Sequence, residues 1–332
     1  MLANKKARAA PALLLWCACS QVFAVQLDPL VQLVHQQRYA EAGQAIDARL
    51  ARNASDPSAL AAMVDLRLAR AEGGDLAQAQ LMAERCVNAN PDHSRCAEAQ
   101  ANALQAQARA GGILATLSTA YAIRDALERA LRLDPTNYLA RVTLMQHYLA
   151  MPFFLGGSET RARELASEAR RTDPELTRLM RAMCALDDGK MDDAEQQILA
   201  ADLAEYELVH DSQHDLLLKL ATGHLDAGRL ARSRRLFDEL ARRAPRSERG
   251  PYGLALVARA EGRLADAAFQ LEKAAMIAPH PYIYKTLGEI YEARQDRPRA
   301  IAAYQTALAG MPPLARREHE QVAMQLTQLR RP

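Results

Sequence analysis

The sequence is poor in aromatic residues, which make up 5% of its 332 positions, and no segment shows the apolar–polar alternation of a half-buried strand. It also lacks a charge imbalance. Lys5, Lys6 and Arg8 supply the basic excess, because residues 25–332 carry a formal net charge of −1. Alanine and leucine dominate instead. The composition therefore favours an all-α solenoid over one large globular core, and it does not indicate a nucleic-acid partner.

The motifs that carry enzyme chemistry are also missing. We find no nucleophile elbow, no phosphate loop and no zinc-ligand spacing, so we predict no enzyme, no cofactor and no metal. His210 and His214 are spaced to hold a metal from one helix, but a third ligand is not evident. We interpret them as surface histidines, and metal or small-molecule binding at this pair stays a minor alternative.

The first residues have the pattern of a secretory signal peptide. A basic start precedes the mostly apolar stretch 9–19, and Val22-Phe23-Ala24 suits a cleavage site. We expect residues 1–24 to be removed after Ala24 and the chain to be periplasmic or secreted. The alternative is an uncleaved anchor, although the apolar run is shorter than the ~20 residues that span a bilayer. No later stretch is apolar enough, so the cleaved chain is expected not to span a membrane.

The stretch 279–312 predicts a helical hairpin. Its first helix repeats apolar residues every three or four positions: Tyr284, Leu287, Gly288 and Tyr291. Asp296 can cap the second helix, and Pro298 suits its first turn. The second helix, which ends before Pro312, has its own face: Ala300, Tyr304, Ala307 and Leu308. The small residues let the two helices approach closely while the tyrosines fill the gaps beside them.

The preceding hairpin repeats this design at an offset of 33 residues. Four identities recur at that offset, as Leu254, Ala267, Ala274 and Pro279 become Leu287, Ala300, Ala307 and Pro312. Gly262 becomes Gln295, which is a mismatch in the turn. The pattern resembles the tetratricopeptide repeat, a 34-residue helix-turn-helix unit. The resemblance implies a right-handed α-solenoid of about eight hairpins over residues 25–313, closed by a capping helix at 314–332.

Repeats two, three and five match the repeat pattern less well, so no groove positions are assigned to them, and two repeats contain extra residues. The third is stretched over about 92–135, with its extra length around Gly111-Gly112, and the fourth has an inserted loop at 151–158. We expect that loop to fold back and pack Phe153 and Phe154; the alternative is a lip that contacts a partner. We also expect the first helix of repeat six to begin as early as Leu203.

Three cysteines remain after the predicted cleavage. Cys86 ends one hairpin and Cys96 opens the next, so in an oxidising compartment we hypothesise a disulfide; two buried thiols are the alternative. This pair, together with the later Gly-Gly loop, resembles a group of exported bacterial repeat proteins that share a cysteine pair here. Cys184 is interpreted as a buried thiol, with an intermolecular link as the alternative.

The resemblance also implies a binding groove, because the first helices of stacked tetratricopeptide hairpins line a concave surface. The positions that match the family's groove positions are Leu139, Val142, Gln146, Leu149, Asp215, Leu218, Thr222, Leu225, Tyr252, Leu256, Arg259, Tyr282, Lys285, Glu289 and Glu292. His224, equivalent to Tyr291, is expected to be partly packed inside this groove.

These positions mix apolar anchors with aromatic and charged residues, and they lack the basic clamp that some cytosolic members use to hold a C-terminal carboxylate. An extended protein segment with apolar anchors is therefore the expected ligand. We expect an adaptor or assembly factor with a protein partner in the cell envelope. The alternative is a structural, self-associating scaffold without a client.

Overall fold

The computed structural model describes residues 27–70 and 75–331, so the predicted signal peptide and Gly74 of the second turn lie outside the described residues. Those residues form sixteen α-helices and contain no strand, which confirms the all-α prediction. None of these helices has the length and apolar character needed to cross a membrane.

The helices form eight hairpins and a final helix. Each hairpin pairs two helices that follow one another in the chain. Their bounds are α1 Pro29–His35 with α2 Tyr39–Arg52, α3 Pro57–Arg70 with α4 Asp75–Ala89, the two arms of α5 Ser94–Leu133, α6 Tyr138–Ala150 with α7 Glu159–Ala169, α8 Pro174–Asp187 with α9 Met191–Ala200, α10 His210–Asp226 with α11 Leu230–Arg243, α12 Arg249–Ala260 with α13 Leu264–Ile277, α14 Pro281–Ala293 with α15 Arg297–Ala309, and the terminal α16 Arg316–Arg330.

The turns of hairpins seven and eight share one backbone conformation. Gly262 has φ 75° and its equivalent Gln295 has φ 58°, and each lies two residues before the next helix. The hydrogen bonds match as well: Arg263 N donates to Ala258 O at 2.8 Å, and Asp296 N donates to Tyr291 O at 2.9 Å. The replacement of Gly262 by Gln295 in the repeat therefore does not change the turn, because Gln295 adopts the left-handed conformation that glycine favours.

Close helix packing depends on single glycines. A Cβ atom added at Gly288 would overlap the ring of Tyr304, and one added at Gly253 would overlap the ring of Phe237. Tyr304 is fully buried, and its hydroxyl donates to Glu292 Oε2 at 2.9 Å. The small residues predicted to allow close approach are thus matched to large aromatic side chains on the facing helix.

Hairpin three is longer than its neighbours. The chain reverses at Gly112, with φ 68° and ψ −152°, so α5 consists of two antiparallel arms, 94–111 and 113–133. Ser94 Oγ donates to Ala130 O at 2.9 Å, which brings the far ends of the two arms together. The extra residues of this repeat therefore extend both arms and form a projecting tip.

The loop at 151–158 departs from its prediction. Phe153 and Phe154 form a 3₁₀ turn, Phe153–Leu155, and they do not pack inward: their exposed fractions are 86% and 58%. The turn is closed by its own backbone, since Leu155 N and Gly157 N both donate to Pro152 O. A loop held this tightly cannot turn the two rings into the core. Ser158 caps α7 by accepting a hydrogen bond from Arg161 N at 3.3 Å.

The cysteines behave as hypothesised. Cys86 and Cys96 form a disulfide with a Cα–Cα distance of 5.2 Å, and both are fully buried. Cys184 is buried and free, and burial raises the pKa of its thiol.

The terminal helix packs on the last hairpin, because Val322 and Leu326 of α16 are buried in one cluster with Tyr304. The terminal helix therefore covers the apolar side of the last hairpin, as a solenoid requires.

Candidate functional site

The inner surface of the solenoid is built from the first helix of each hairpin. Several first helices contact one another directly: α1 with α3, α6 with α8, α8 with α10, and α10 with α12. Neighbouring second helices are spaced further apart along their backbones; α9 and α11, for example, meet through long side chains, since Arg232 and Arg235 of α11 donate to Glu195 of α9. Because the first helices lie closer together, the solenoid curves toward them, and side chains on their free sides face the concave groove.

One part of that groove is already filled by the chain itself. Residues 201–209, here called the strap, connect α9 to α10 and include the 3₁₀ turn Glu207–Val209. The helix predicted to begin at Leu203 begins instead at His210. Leu203 and Val209 are buried, so the apolar residues of this segment serve as packing groups of a connection rather than as one face of a helix.

The strap binds to first helices of distant hairpins. The rings of Tyr206 and Tyr138 pack edge to face, and the Tyr206 hydroxyl donates to Asp173 Oδ1 at 3.0 Å. Glu207 lies 3.7 Å from His35 in α1, measured from Oε1 to Nε2. The strap thus joins hairpins one, four and five across the inner surface. The only indication of the strap in the sequence is that the connection to the first helix of repeat six is longer than usual and contains the apolar residues Leu203, Tyr206 and Val209.

Beyond the strap the groove is open. A cavity of about 600 Å³ lies between α6, α8 and α10. Its lining combines aliphatic residues with three charged groups: Gln146, Leu149, Ala150, Met183, Leu186, Asp187, Asp215, Leu216 and Lys219. Gln146, Leu149 and Asp215 were predicted as groove residues; Met183, Leu186 and Asp187 come from repeat five, which fits the repeat frame poorly.

The charged groups stand at the exposed edge of the cavity. Asp215 pairs with Arg249 at 2.5 Å, while partial burial and then the nearby Glu159 and Asp188 raise the pKa of Asp187. Gln146 Nε2 donates to Ser212 Oγ at 3.0 Å, so α6 and α10 meet directly across the groove. An apolar floor with a polar rim suits the insertion of an apolar side chain from an extended segment.

The C-terminal part of the groove is aromatic and ionic. The rings of Tyr252 and Tyr282 pack edge to face with centroids 4.9 Å apart, and the Tyr282 hydroxyl donates to Glu248 Oε1 at 2.9 Å. Burial, followed by this hydrogen bond to Glu248, raises the pKa of Tyr282. Arg259 pairs with Glu289 at 2.7 Å. The two tyrosines form a wall held from behind by a carboxylate.

The predicted groove residues differ in accessibility. Gln146, Asp215, Thr222, Arg259 and Glu292 are exposed. Half-buried positions, which still present part of their surface, are Leu139, Leu149, Leu218, Leu225, Tyr252, Leu256, Tyr282, Lys285 and Glu289. Val142 is 1% exposed and belongs to the core. Lys285 is engaged with Glu318 of the terminal helix at 2.7 Å.

His224 is not a groove residue. It is fully buried, and its Nε2–H donates at 3.0 Å to Oε2 of Glu195, which is itself 2% exposed. Arg232 and Arg235 donate to the same carboxylate. Burial, and then the positive charges of Arg232 and Arg229, lower the pKa of His224. The equivalent Tyr291 is likewise buried, and its hydroxyl donates to Glu272 on α13, so both positions pair with a carboxylate of the preceding second helix and neither lines the groove.

The pair His210 and His214 is poorly placed for a metal. His210 Nε2 lies 2.8 Å from Leu203 O, and because a carbonyl only accepts, this nitrogen carries the proton. Burial, as the largest effect, lowers the pKa of His214. The described residues contain no group of three His, Cys, Asp or Glu side chains that could hold a metal ion.

A cavity of about 410 Å³ beside this pair also contains Arg242 and Arg243. Both guanidinium groups are engaged with Glu239, and the hydrogen bonds from Arg242 and then Arg243 lower the pKa of Glu239 to about 2. The two guanidinium groups in this cavity are therefore already paired with Glu239, so the cavity is poorly suited to bind an anion.

No family model matches the sequence, and no curated protein matches it. Solved structures do resemble the fold. The crystal structure of yeast Tom70 has a TM-score of 0.59 at 14% identity, covering 88% of this chain and 59% of that one. The APC/C hetero-tetramer Cut9–Hcn1 has a TM-score of 0.52 at 13% identity, covering 91% of this chain and 55% of that one.

A third structure, a tetratricopeptide repeat protein from Parabacteroides merdae, has a TM-score of 0.40 at 15% identity, covering 91% of this chain and 96% of that one. These neighbours are tetratricopeptide-repeat proteins, and the first two show that this chain has the same fold. The chain spans a little over half the length of those two structures.

Proposed function

We propose that this tetratricopeptide-type solenoid is an adaptor or assembly factor that binds an extended segment of a protein partner in its concave groove. The observation that carries the proposal is the open cavity between α6, α8 and α10, where Leu149, Met183 and Leu186 lie beneath a charged rim. The groove of a solenoid is a long concave surface, and pockets in it can bind particular side chains of an extended partner segment.

The bound segment is expected to run along the first helices. An apolar anchor enters the cavity beside Leu149, and the chain continues toward the wall formed by Tyr252 and Tyr282. Tyrosine rings with one polar end contact both apolar side chains and backbone groups, so this wall suits a segment of mixed composition. The strap closes the path toward hairpin one.

Photo-crosslinking tests this path directly. We would place p-benzoylphenylalanine at Gln146, Lys219 or Tyr282 on the inner surface, and at the exposed Gln305 of α15 as the outer control. The same partner should be captured from all three inner positions and not from Gln305. Self-adducts alone, or equal capture at Gln305, would reject the groove and favour the scaffold alternative.

A matched pair of substitutions sharpens that test. Leu149→Lys places a charge in the cavity and should reduce crosslinking from Tyr282 at least tenfold, because the apolar anchor loses its site. Phe269→Lys makes the same kind of change at an exposed residue of α13, a second helix, and should leave crosslinking unchanged. Circular dichroism of both variants checks that the helices are retained.

We further propose that the chain is exported. The support is the predicted signal peptide together with the buried Cys86–Cys96 disulfide, since such bonds persist in oxidising compartments. The protein recovered from the periplasm or the medium should have the intact mass of a chain that begins at Val25. A chain recovered only from the cytosol, with residues 1–24 intact, would reject export and leave the groove proposal standing.

A further inference from the structure

Several large apolar side chains that project into solvent are clustered on hairpins three and four. Ile113 and Leu114 are 80% and 81% exposed at the tip of hairpin three, and the exposed rings of Phe153 and Phe154 lie on the adjoining turn. We call the whole set the apolar tip; it comprises Ile113, Leu114, Leu117, Tyr121, Phe153 and Phe154.

These residues form one continuous surface. On the arm 113–133, Leu117 and Tyr121 follow Ile113 at intervals of four residues and Leu114 is adjacent to Ile113, so the four share one side of the helix. The Tyr121 hydroxyl donates to Phe154 O at 2.7 Å, and the Phe153 and Phe154 rings pack edge to face with centroids 5.6 Å apart. The helix face and the turn are therefore fixed side by side.

Charge is absent from this surface and returns at its edges. Neither 110–123 nor 151–158 contains a charged residue. The exposed Arg109 precedes the first segment. At the other edge the guanidinium of Arg124 lies 5.0 Å over the ring of Tyr121 and pairs with Asp125 at 2.6 Å. An apolar face bordered by tyrosine and arginine matches the layering of a membrane surface, where such side chains reach the headgroups.

The size of the apolar tip indicates a binding surface. With roughly 150–250 Å² for a large side chain, the exposed fractions of the six add up to roughly 600–1,000 Å², which reaches or exceeds the ~300–600 Å² patch of a typical monomer. A lipid surface requires no complementary shape.

We propose that the apolar tip docks this protein on a phospholipid bilayer. The exposed face of the arm 113–133 lies in the plane of the interface, with Phe153 and Phe154 inserted beside it, and Arg109 reaches the phosphate groups. This is peripheral attachment to one leaflet. It uses a surface separate from the groove, so the two proposals can fail independently.

Co-sedimentation with vesicles tests the proposal on the full-length chain. We compare the unaltered protein with the variant Ile113→Ser/Leu114→Ser/Phe153→Ser/Phe154→Ser. The matched control is Phe269→Ser/Met276→Ser, which removes two residues of α13 that are 64% and 87% exposed. All three proteins share residues 1–26, so any binding through that segment is common to them.

The tip variant should bind vesicles of phosphatidylcholine and phosphatidylglycerol at least tenfold more weakly than the unaltered protein, and the control should bind as the unaltered protein does. Equal binding by the tip variant, or no binding by the unaltered protein, overturns the proposal. If the unaltered protein instead dimerises in sedimentation velocity and the tip variant does not, the surface belongs to a second copy.

Insertion depth gives a second readout. In Phe153→Trp the new indole should be quenched by lipids brominated on their acyl chains, relative to the parent chain, whose only tryptophan is Trp16. Arg109→Gln should weaken binding to anionic vesicles several-fold and change binding to pure phosphatidylcholine little. Absence of acyl-chain quenching at position 153 on vesicles that do bind the protein would overturn insertion.

Discussion

The ring of Tyr206 stands edge-on against the ring of Tyr138, with centroids 5.4 Å apart and an interplanar angle of 87°. These residues are 68 positions apart, yet the contact joins the strap to the first turn of α6. The Tyr206 hydroxyl also donates to Asp173, the N-cap residue of α8. One side chain therefore holds an otherwise irregular segment against two first helices.

Tyr206→Ala should lower the free energy of unfolding by about 3 kcal/mol, because it removes a buried ring and leaves a cavity against Tyr138. Tyr206→Phe keeps the ring contact and loses only the hydrogen bond to Asp173, so it should cost about 1 kcal/mol. Urea denaturation followed by circular dichroism measures both. Equal losses in the two variants would show that the ring packing contributes nothing.

The disulfide should stabilise the N-terminal hairpins. Closing a loop of ten residues reduces the entropy of the unfolded chain, and this is worth about 2–3 kcal/mol. Cys86→Ala/Cys96→Ala should therefore unfold at lower urea than the oxidised protein, while Cys184→Ala should change stability less. Intact mass spectrometry after alkylation without reductant checks the bond, and alkylation at all three thiols would contradict it.

Two glycines should respond to alanine in opposite directions. Gly288→Ala introduces a methyl group against the Tyr304 ring and should destabilise the protein by about 1–3 kcal/mol. Gly43 lies inside α2, where the nearest neighbour of an added Cβ, Leu66 Cδ2, is 3.8 Å away, so Gly43→Ala should stabilise by about 0.5–1 kcal/mol. Thermal melts give both signs, and a destabilising Gly43→Ala would contradict this account.

His224 should make stability depend on pH. Burial lowers its pKa from the ordinary value of 6.5, so the unfolded chain binds this proton more readily than the folded one. The folded state therefore has its full stability with respect to this group above pH 6.5. It loses that stability as the pH falls from 6.5 through the lowered pKa of His224 in the folded protein. His224→Gln, which can still donate to Glu195, should lose less stability between pH 7.5 and 5 than the unaltered protein.

The control for this prediction is His319→Gln, because His319 is exposed on α16. It should leave the pH dependence unchanged. An unchanged slope in His224→Gln would show that other buried histidines, such as His147, cause the acid sensitivity; burial lowers the pKa of His147 as well.

Much of the fold could be predicted from the sequence because a hairpin is a local structure. The apolar period, the cap at Asp296 and the small residue at Gly288 act within about 34 positions, so each repeat can be recognised by itself. The disulfide was within reach for the same reason, since Cys86 and Cys96 flank one turn.

The candidate site was harder to predict. The repeat pattern correctly assigned Gln146, Leu149 and Asp215 to the groove, where the structure places them around one cavity. It also assigned Val142 to the groove, although this side chain is buried. It also omitted Asp187, because repeat five deviates from the repeat pattern. Side-chain exposure depends on how far each helix is rotated against its neighbours, and a sequence period does not give that rotation.

By itself the sequence determined the all-α class, the number of hairpins and the positions of their turns, because interactions between residues close in the chain select these features. Only the tertiary structure decided that the strap covers part of the inner surface, that His224 pairs with Glu195, and that Phe153 and Phe154 face solvent. Each of these depends on contacts between separate repeats or on the shape of a closed turn, and neither leaves a periodic signal in the sequence.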